Sequence, residues 1–579
     1  MCTTVIVGKL ASKTGRVIVG HNEDAGGRCL HQQFYCPAQD HAPGEFVTAE
    51  PGTAKVPQAP HTLATYWSNM QAPVPGASFD QGFANEAGLV ICSNGGGTSF
   101  DADDEKLGKN LLTEGGVGFL LRRLMAERAS TAREAVIVAK HLIETYGYTG
   151  SARNYTIADK NEAWCINVVM GKHFVAKRIP DDKVMLISNM LAIRSVDLSD
   201  KENVIASEDL IDWAIEHGRY EPKTPGDYSD FDFARAYQSD ENRHAPTKSV
   251  RMRLGWLEIA NVYCADELHY PELMTPTAPM GVEEVKAVLR LTAPETYRTR
   301  GDGRADAFHV SAVDISRSHT RESWVMELAE TPLMNTLWRL ASYQDTGVYI
   351  PWFPMAGVVP QGYQWTSLEE AHRVNFAMDN RYLCLDYAKS YYLYAVLGEL
   401  VNFNRGLMAG VWPVREGLEA EFRADVEKVR EDVAGLSQED AKARLGQFTA
   451  EEAAKADARY RELLATIDYL DAEVSPSEIS MADEAAEVVV KIFATDDFDP
   501  AEVDPKSLLW SLGFTSSKPS VNEPAKPLRV TAAEDALEVV FRAHDVAKFA
   551  VPGVLCDTYI RGFMANRRFV AMAPVRFTA

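Results

Sequence analysis

The chain has 579 residues, 46% of them hydrophobic and 24% charged, which suits a globular protein with room for about two to four domains. Its net charge of −23 would repel phosphate backbones and so argues against a nucleic-acid partner. Eight cysteines without a CxxC or paired spacing fit a reducing cytoplasm better than a disulfide framework, and no apolar run reaches the roughly twenty residues of a membrane span.

The N-terminal stretch MCTTVIVG is apolar only from Val5 to Val7, too short for a secretory signal core. TTVIVGKL and RVIVG are β-branched runs separated by the turn-rich ASKTG, a pattern that predicts a hairpin. A loop centred near Lys13 pairs residues whose numbers sum to about 26, which sets Cys2 against the neighbourhood of Asp24. QGFANEAG followed by LVICSNGGG predicts a further strand pair. Its glycine run lacks the lysine and hydroxyl residue of a phosphate loop.

GVGFLLRRLMAERA at 116–129 has helical periodicity, and Thr131 with Glu134 forms a capping-box pattern for the next helix. Strand-like runs follow at NYTIAD, AWCINVVM, HFVAKRI and KVMLISN. Strands, a helical hairpin and strands again predict a layered protein with mostly antiparallel sheets. Residues 414–472 read as two long amphipathic helices joined around GLSQ, better packed on their own domain than as a dimerising coiled coil. TSSKPSVNEPAKP at 515–527 reads as a linker, and the last fifty residues as a small appendage.

The plainest reading of Cys2 is a small buried strand residue. Loss of Met1 would give it a second property, a free α-amine on the residue that carries the thiol. An amine pKa of about 7.7–8.0 lets it act as base toward a thiol of about 8.5, and covalent geometry fixes the pair. A nearby carboxylate would hold the ammonium, and donors for an oxyanion would complete an acyl-transfer site.

MCTTVIVGKLASKTGRVIVGHNED resembles the N-terminus of the cysteine-type dipeptidases of the dipeptidase A family. These are N-terminal-nucleophile hydrolases related to penicillin V acylases and bile-salt hydrolases. The similarity continues in ANEAGLVICSN, in LMAERASTAREAVIVAKHLIETYG, in NYTIADKNEAWCINVVMGKHFVAKRIPDD and in VMLISNMLAIRSVDL, with weaker matches at SWVMEL and VYIPWF. It covers residues 2–410 and fades beyond.

The resemblance implies an α+β fold, the four-layer αββα sandwich. It divides the chain into a hydrolase domain at 2–410, a helical extension at 411–475 and a C-terminal extension at 476–579. It implies Cys2 as nucleophile, Asp24 as the carboxylate that positions the amine, and Asn85 as an oxyanion residue. Asn189 would contact the amine or the oxyanion, and Arg251, preferred over Arg253, would support the cysteine. Asn85 also fits a plain turn residue, Asn189 a strand end and Arg251 a surface charge. His21 departs from the family, which often has arginine there. The function implied is dipeptide hydrolysis through an acyl-enzyme in the cytoplasm, with short peptides as partners, no metal or other cofactor, no membrane, and room for a homo-oligomer. A linear-amide acylase and a secernin-like regulatory protein are the alternatives.

Overall fold

Two β-branched runs meet at the N-terminus, β1 (Thr3–Val7) and β2 (Ile18–Asp24), and every residue of both is buried. The computed structural model describes the chain apart from residues 1, 26–27, 48, 73–79, 98–101, 245, 266–269, 293–313, 318, 377–378, 514–523 and 566. β1 and β2 lie inside a six-stranded antiparallel sheet ordered Val184–Ile187, β1, β2, Thr320–Glu327, Thr336–Ala341, Ile350–Trp352. Full burial explains why these strands carry apolar residues without the alternation of a half-exposed sheet.

A second, eight-stranded antiparallel sheet runs from Val204–Ala206 through Phe174–Ile179, Ala163–Gly171, Tyr148–Ala158, Val90–Gly96, Asp80–Asn85 and Thr65–Gln71 to Leu30–Cys36. The two sheets face each other, and a buried carboxylate ties them. Glu322 of the first sheet accepts from Ser68 Oγ at 2.6 Å and Gln33 Nε2 at 3.1 Å of the second, and from Arg339 Nε at 2.7 Å.

Helices cover the outer faces. Leu121–Arg128 and Ala132–Tyr146 bury Leu124, Val136, Ala139 and Ile143 against Ile157, Trp164 and Phe174 of the eight-stranded sheet. Thr131 Oγ1 accepts from the backbone N–H of Glu134, and Glu134 Oε2 from Ser130 N–H, so the expected capping box forms. On the other side Val282–Leu289 packs on β2 so closely that a Cβ at Gly20 would lie 2.3 Å from Val285 Cγ1. The order is helix, sheet, sheet, helix: an α+β four-layer sandwich, as expected.

Two long helices follow, Met408–Val433 and Gln438–Thr466. Leu418, Phe422, Val426, Val429 and Val433 keep one face of the first buried, and Ser437 caps the second by accepting from Asp440 N–H. The expectation of helix to residue 472 is corrected, because the chain turns extended at Ile467 and Leu470–Ser475 is a strand. That strand joins a third sheet with Glu487–Phe493, Leu509–Leu512, Arg529–Ala532, Ala536–Arg542, Leu555–Met564 and Arg567–Thr578. The last residues are therefore paired strands of a larger sheet. Most of the linker expected at 515–527 lies outside the described residues. A buried ion pair, Arg28 Nη2 to Asp557 Oδ1 at 2.9 Å, fastens the third sheet to the segment that follows β2. Among the described residues no helix is long and apolar enough to cross a membrane.

Candidate active site

The β1–β2 register is Thr3 with Asn22, Thr4 with His21 and Val5 with Gly20, a sum of 25. The expected sum of 26 is corrected by one residue, and one residue reverses the face of every side chain. Continuing the register sets Cys2 opposite Glu23. Cys2, Thr4, His21 and Glu23 then share the face turned toward the eight-stranded sheet, while Asn22 and Asp24 point the other way.

Contacts follow that division. Cys2 Sγ donates to Glu23 Oε1 at 3.3 Å, and His21 Nε2 lies 3.2 Å from Glu23 Oε2. His21 Nδ1 meets Thr4 Oγ1 at 2.7 Å, and the Thr4 hydroxyl donates to Asn94 Oδ1 at 2.7 Å. Burial disfavours the imidazolium, yet the Cys92 and Cys2 sulfurs and the Glu23 carboxylate hold the pKa of His21 well above its ordinary value. Burial likewise opposes the charged form of Glu23, but His21, with Arg122 behind it, keeps that carboxyl below the usual range. The site holds a buried imidazolium–carboxylate pair beside a thiol.

The backbone of Cys2 is held from a different direction. Its N–H, the atom that becomes the α-amine once Met1 is removed, donates to Asn189 Oδ1 at 2.7 Å. Arg251, buried in the helix Pro246–Ala260, donates through Nη1 to Cys2 O at 2.5 Å and Thr3 Oγ1 at 3.0 Å, and through Nη2 to Asn189 Oδ1 at 2.8 Å. Burial and neighbouring Arg317 lower the pKa of Arg251, opposed by Asp24 and Cys2. Asp24 accepts from Thr320 Oγ1 at 2.5 Å and pairs with Arg317 Nε at 3.3 Å. It belongs to the charged layer behind Cys2.

Asn189 is placed by a row of asparagines that crosses the eight-stranded sheet. Asn94, Asn154 and Asn167 are register neighbours on three adjacent strands. Asn167 Nδ2 donates to Asn154 Oδ1 at 2.7 Å, and the two side chains accept from Ile193 N–H and Ala192 N–H. Asn154 Nδ2 donates to Met190 O at 3.0 Å, and Asn189 Nδ2 to Gly95 O at 2.8 Å. The segment after Val184–Ile187 is thereby pinned to the sheet.

The structure brings Cys2, Asn189 and Arg251 together, and corrects the place of Asp24: expected beside the Cys2 amine, it points to the opposite face of β2, onto Thr320 and Arg317. Asn85 does not join Cys2 either. It closes the turn between Asp80–Asn85 and Val90–Gly96, accepting from Ala87 and Leu89 N–H and donating to Ala126 O and Ala129 O at 2.8 and 2.7 Å. All its polar capacity serves the turn and a helix end, because it ends the preceding strand, at the turn that leads into Val90–Gly96 and far along that strand from Asn94 and Gly95. Arg253, the alternative to Arg251, is half-buried two residues along the same helix.

Two residues were not singled out from the sequence. Glu23 was hidden by the register error. Asn94 stands in the same ANEAGLVICSN stretch as Asn85; its signal is a polar residue on the Cys92 face of a buried strand, just before a glycine run. Asn94 is fully buried, and among the described residues its Nδ2 has no hydrogen-bond acceptor. A buried orphan donor is costly unless something else receives it.

A cleft of about 490 Å³ opens beside this cluster. Glu50, Gly95, Phe119, Arg153, Asn189 and Lys248 line it, so both signs of charge are present. Arg153 stacks on Phe119 at 4.4 Å and donates to Tyr148 Oη and Ser93 Oγ, both at 3.1 Å. A Cβ on Gly95 would stand 3.9 Å from both Arg153 Nη2 and Asn189 Nδ2, so the missing side chain leaves the passage between them clear.

The model of peptidase family C69 matches residues 1–392. A probable dipeptidase of Latilactobacillus sakei is 23% identical over 331 residues, 56% of this chain and 68% of that protein. A probable dipeptidase A of Streptococcus pyogenes is 21% identical over 401 residues, 66% of this chain and 80% of that protein. A dipeptidase of Bifidobacterium longum is 29% identical over 235 residues, 37% and 42% of the two chains. Among solved structures, a conjugated bile acid hydrolase from Clostridium perfringens aligns at 11% identity over 58% of this chain and 88% of its own, with a TM-score of 0.25.

Proposed function

The chain belongs to peptidase family C69, and from that premise we propose that it is a dipeptidase whose nucleophile is Cys2 acting as the N-terminal residue. The observation that carries this reading is the grip on Cys2. Asn189 and Arg251 hold its nitrogen and carbonyl within hydrogen-bond distance, while its sulfur turns separately toward Glu23. A merely structural cysteine would need no such hold on both backbone groups.

The α-amine takes the Sγ proton, and Sγ attacks the peptide carbonyl carbon. Asn94 Nδ2, the orphan donor on the same face, receives the developing oxyanion. The tetrahedral adduct collapses as the carbon–nitrogen bond breaks, and the leaving amine takes the proton from the Cys2 ammonium. Water, deprotonated by the same amine, then hydrolyses the thioester and restores the thiol. Asn189 Oδ1 orients the amine, Arg251 fixes Cys2 and Asn189 together, and Asp24 balances the two arginines behind them. The His21–Glu23 pair holds the thiol in place.

The bipolar cleft favours a zwitterionic dipeptide over a neutral amide, since Arg153 and Lys248 fit a free carboxylate and Glu50 a free amine. Catalysis is assigned to residues 2–410, with 411–475 and 476–579 as supports, and the site of action to the cytoplasm, where eight free cysteines persist.

Intact mass and kinetics test the proposal together. Active protein is expected to begin at Cys2, to hydrolyse unblocked dipeptides, and to lose that activity in Cys2→Ala with an unchanged melting temperature. Full activity in protein that keeps Met1, or in Cys2→Ala, removes Cys2 from the mechanism.

A further inference from the structure

Three chemically different side chains converge at one point on the inner face of the β1–β2 pair. A Cys2 sulfur, a His21 ring nitrogen and a Glu23 carboxylate oxygen all lie within 4.8 Å of one another, and all three residues are buried. The hydrogen-bond contacts are closer, 3.3 Å from Sγ to Oε1 and 3.2 Å from Nε2 to Oε2. A tetrahedral zinc ion bound at about 2.0–2.3 Å sets its ligand atoms roughly 3.3–3.8 Å apart. The contacts of Sγ and Nε2 with the Glu23 carboxylate are close to that spacing, and the three ligand atoms lie near enough for one ion to draw them together.

Protons fill the space between them. The Thr4 hydroxyl gives its proton to Asn94 Oδ1, so toward His21 it can only accept, and Nδ1 must carry a hydrogen. The ring is then fixed with Nε2 facing Glu23. A carboxylate opposite a bare Nε2 lone pair would repel it, so a proton sits there, and a second proton joins Sγ to Oε1. Two protons therefore occupy a pocket bounded by a thiolate, an imidazole and a carboxylate. The Thr4 contact to the other ring nitrogen is the outer support that metal-binding histidines commonly have.

We propose that Cys2, His21 and Glu23 form a binding site for a thiophilic divalent cation of the zinc class, and that the cation switches the enzyme off. Binding forms bonds from the metal to Sγ, Nε2 and a Glu23 oxygen. It breaks the S–H and Nε2–H bonds, and both protons leave to solvent. No electron is transferred. The freed α-amine of Cys2, on the same residue as Sγ, or a water from the cleft completes four-coordination. The sulfur lone pair that would attack the substrate is then committed to the metal. The inhibitory half of this inference rests on the reading of Cys2 as nucleophile, while the binding half does not.

The test uses full-length protein beginning at Cys2, stripped with EDTA and dialysed. Zinc is titrated by calorimetry and cobalt by absorbance. One zinc per chain is expected, with hydrolysis lost in proportion and restored by EDTA, and cobalt should give a thiolate-to-metal charge-transfer band. His21→Ala and Glu23→Gln are each expected to weaken binding by about tenfold or more, and melting curves establish that the variants are folded. Because Glu23→Gln is nearly isosteric, it serves if His21→Ala does not fold. No saturable binding, a cobalt complex without the thiolate band, or affinity unchanged in Glu23→Gln overturns the site. Zinc bound through the trio in a chain that cleaves no dipeptide upholds the site and removes only its inhibitory meaning. Dipeptide hydrolysis that persists with zinc bound through the trio overturns the inhibitory half of the proposal.

Discussion

Cys2 stands opposite Glu23 across the β1–β2 pairing, with Sγ 3.3 Å from Oε1, so the thiol proton is directed at a carboxylate rather than at solvent. Glu23 in turn holds His21 as an imidazolium. Glu23→Gln keeps the shape and removes the charge, which acts on both neighbours. The His21 pKa, raised by this carboxylate among its partners, is expected to fall, so the ring deprotonates at a lower pH than in the wild type. NMR titration of His21 reads that shift, and kcat should drop by roughly ten- to a hundredfold with KM little changed. An unchanged titration and kcat would mean the pair contributes nothing beyond packing.

Asn94 and Asn85 come from one short stretch and make opposite predictions. Asn94→Ala removes the buried orphan donor together with the acceptor of the Thr4 hydroxyl, and a fall in kcat per folded molecule of about a hundred- to a thousandfold is expected beside a stability loss of about 1–3 kcal/mol. Asn85→Ala removes four hydrogen bonds from a turn and a helix end. It is expected to cost about 1–3 kcal/mol of stability while kcat per folded molecule is kept. If the two results were exchanged, Asn85 would be the oxyanion residue.

These two asparagines also show what the chain revealed of itself. Strand and helix positions followed from β-branched runs, the Thr131 cap and the 3.6-residue period, because those signals are local. Cys2, Asn189 and Arg251 are separated by up to 249 positions, and only similarity to a family brought them together. Register was not legible. The loop between β1 and β2 is irregular, and shifting its centre by half a residue exchanged Asp24 for Glu23 beside the sulfur. The third sheet escaped because Leu470–Ser475 joins it through a parallel pairing with Arg567–Thr578, about a hundred residues away, that no local pattern encodes.

Glu322 gives the acid limb of stability a defined origin. Burial alone would raise its pKa, but Arg339 and His31, with the Ser68 hydrogen bond, bring it down from 4.5 to about 2. A carboxyl depressed in the folded state contributes stability that is complete above its unfolded pKa and is lost as pH falls from about 4.5 toward 2. The loss is about 3 kcal/mol, a little over one kcal/mol per pH unit of depression. Denaturant unfolding between about pH 6 and about pH 3 reads most of it, roughly 2 kcal/mol. Glu322→Gln should be less stable at neutral pH, since Arg339 stays buried without its partner charge, and should show a flatter acid limb. An acid limb of the same steepness in the variant would place the lost protons elsewhere.

Arg153 decides whether the cleft reads the free carboxylate that distinguishes a dipeptide from a longer or blocked chain. Its Nε and Nη1 are committed to Tyr148 and Ser93, and Nη2 faces the passage that Gly95 leaves open. A charge-assisted hydrogen bond of about 1.5–3 kcal/mol corresponds to roughly ten- to a hundredfold in affinity. Wild-type enzyme should therefore favour a free dipeptide over its C-terminal amide by that factor in kcat/KM. Arg153→Gln should raise KM for the free dipeptide by a similar factor, leave kcat nearly unchanged, and treat the amide much as the wild type does. A preference that survives in Arg153→Gln would hand the carboxylate to Lys248. Equal turnover of dipeptide and amide by the wild type would mean that the cleft does not read the carboxylate, and the bipolar lining would then no longer favour a dipeptide over an acylated amide.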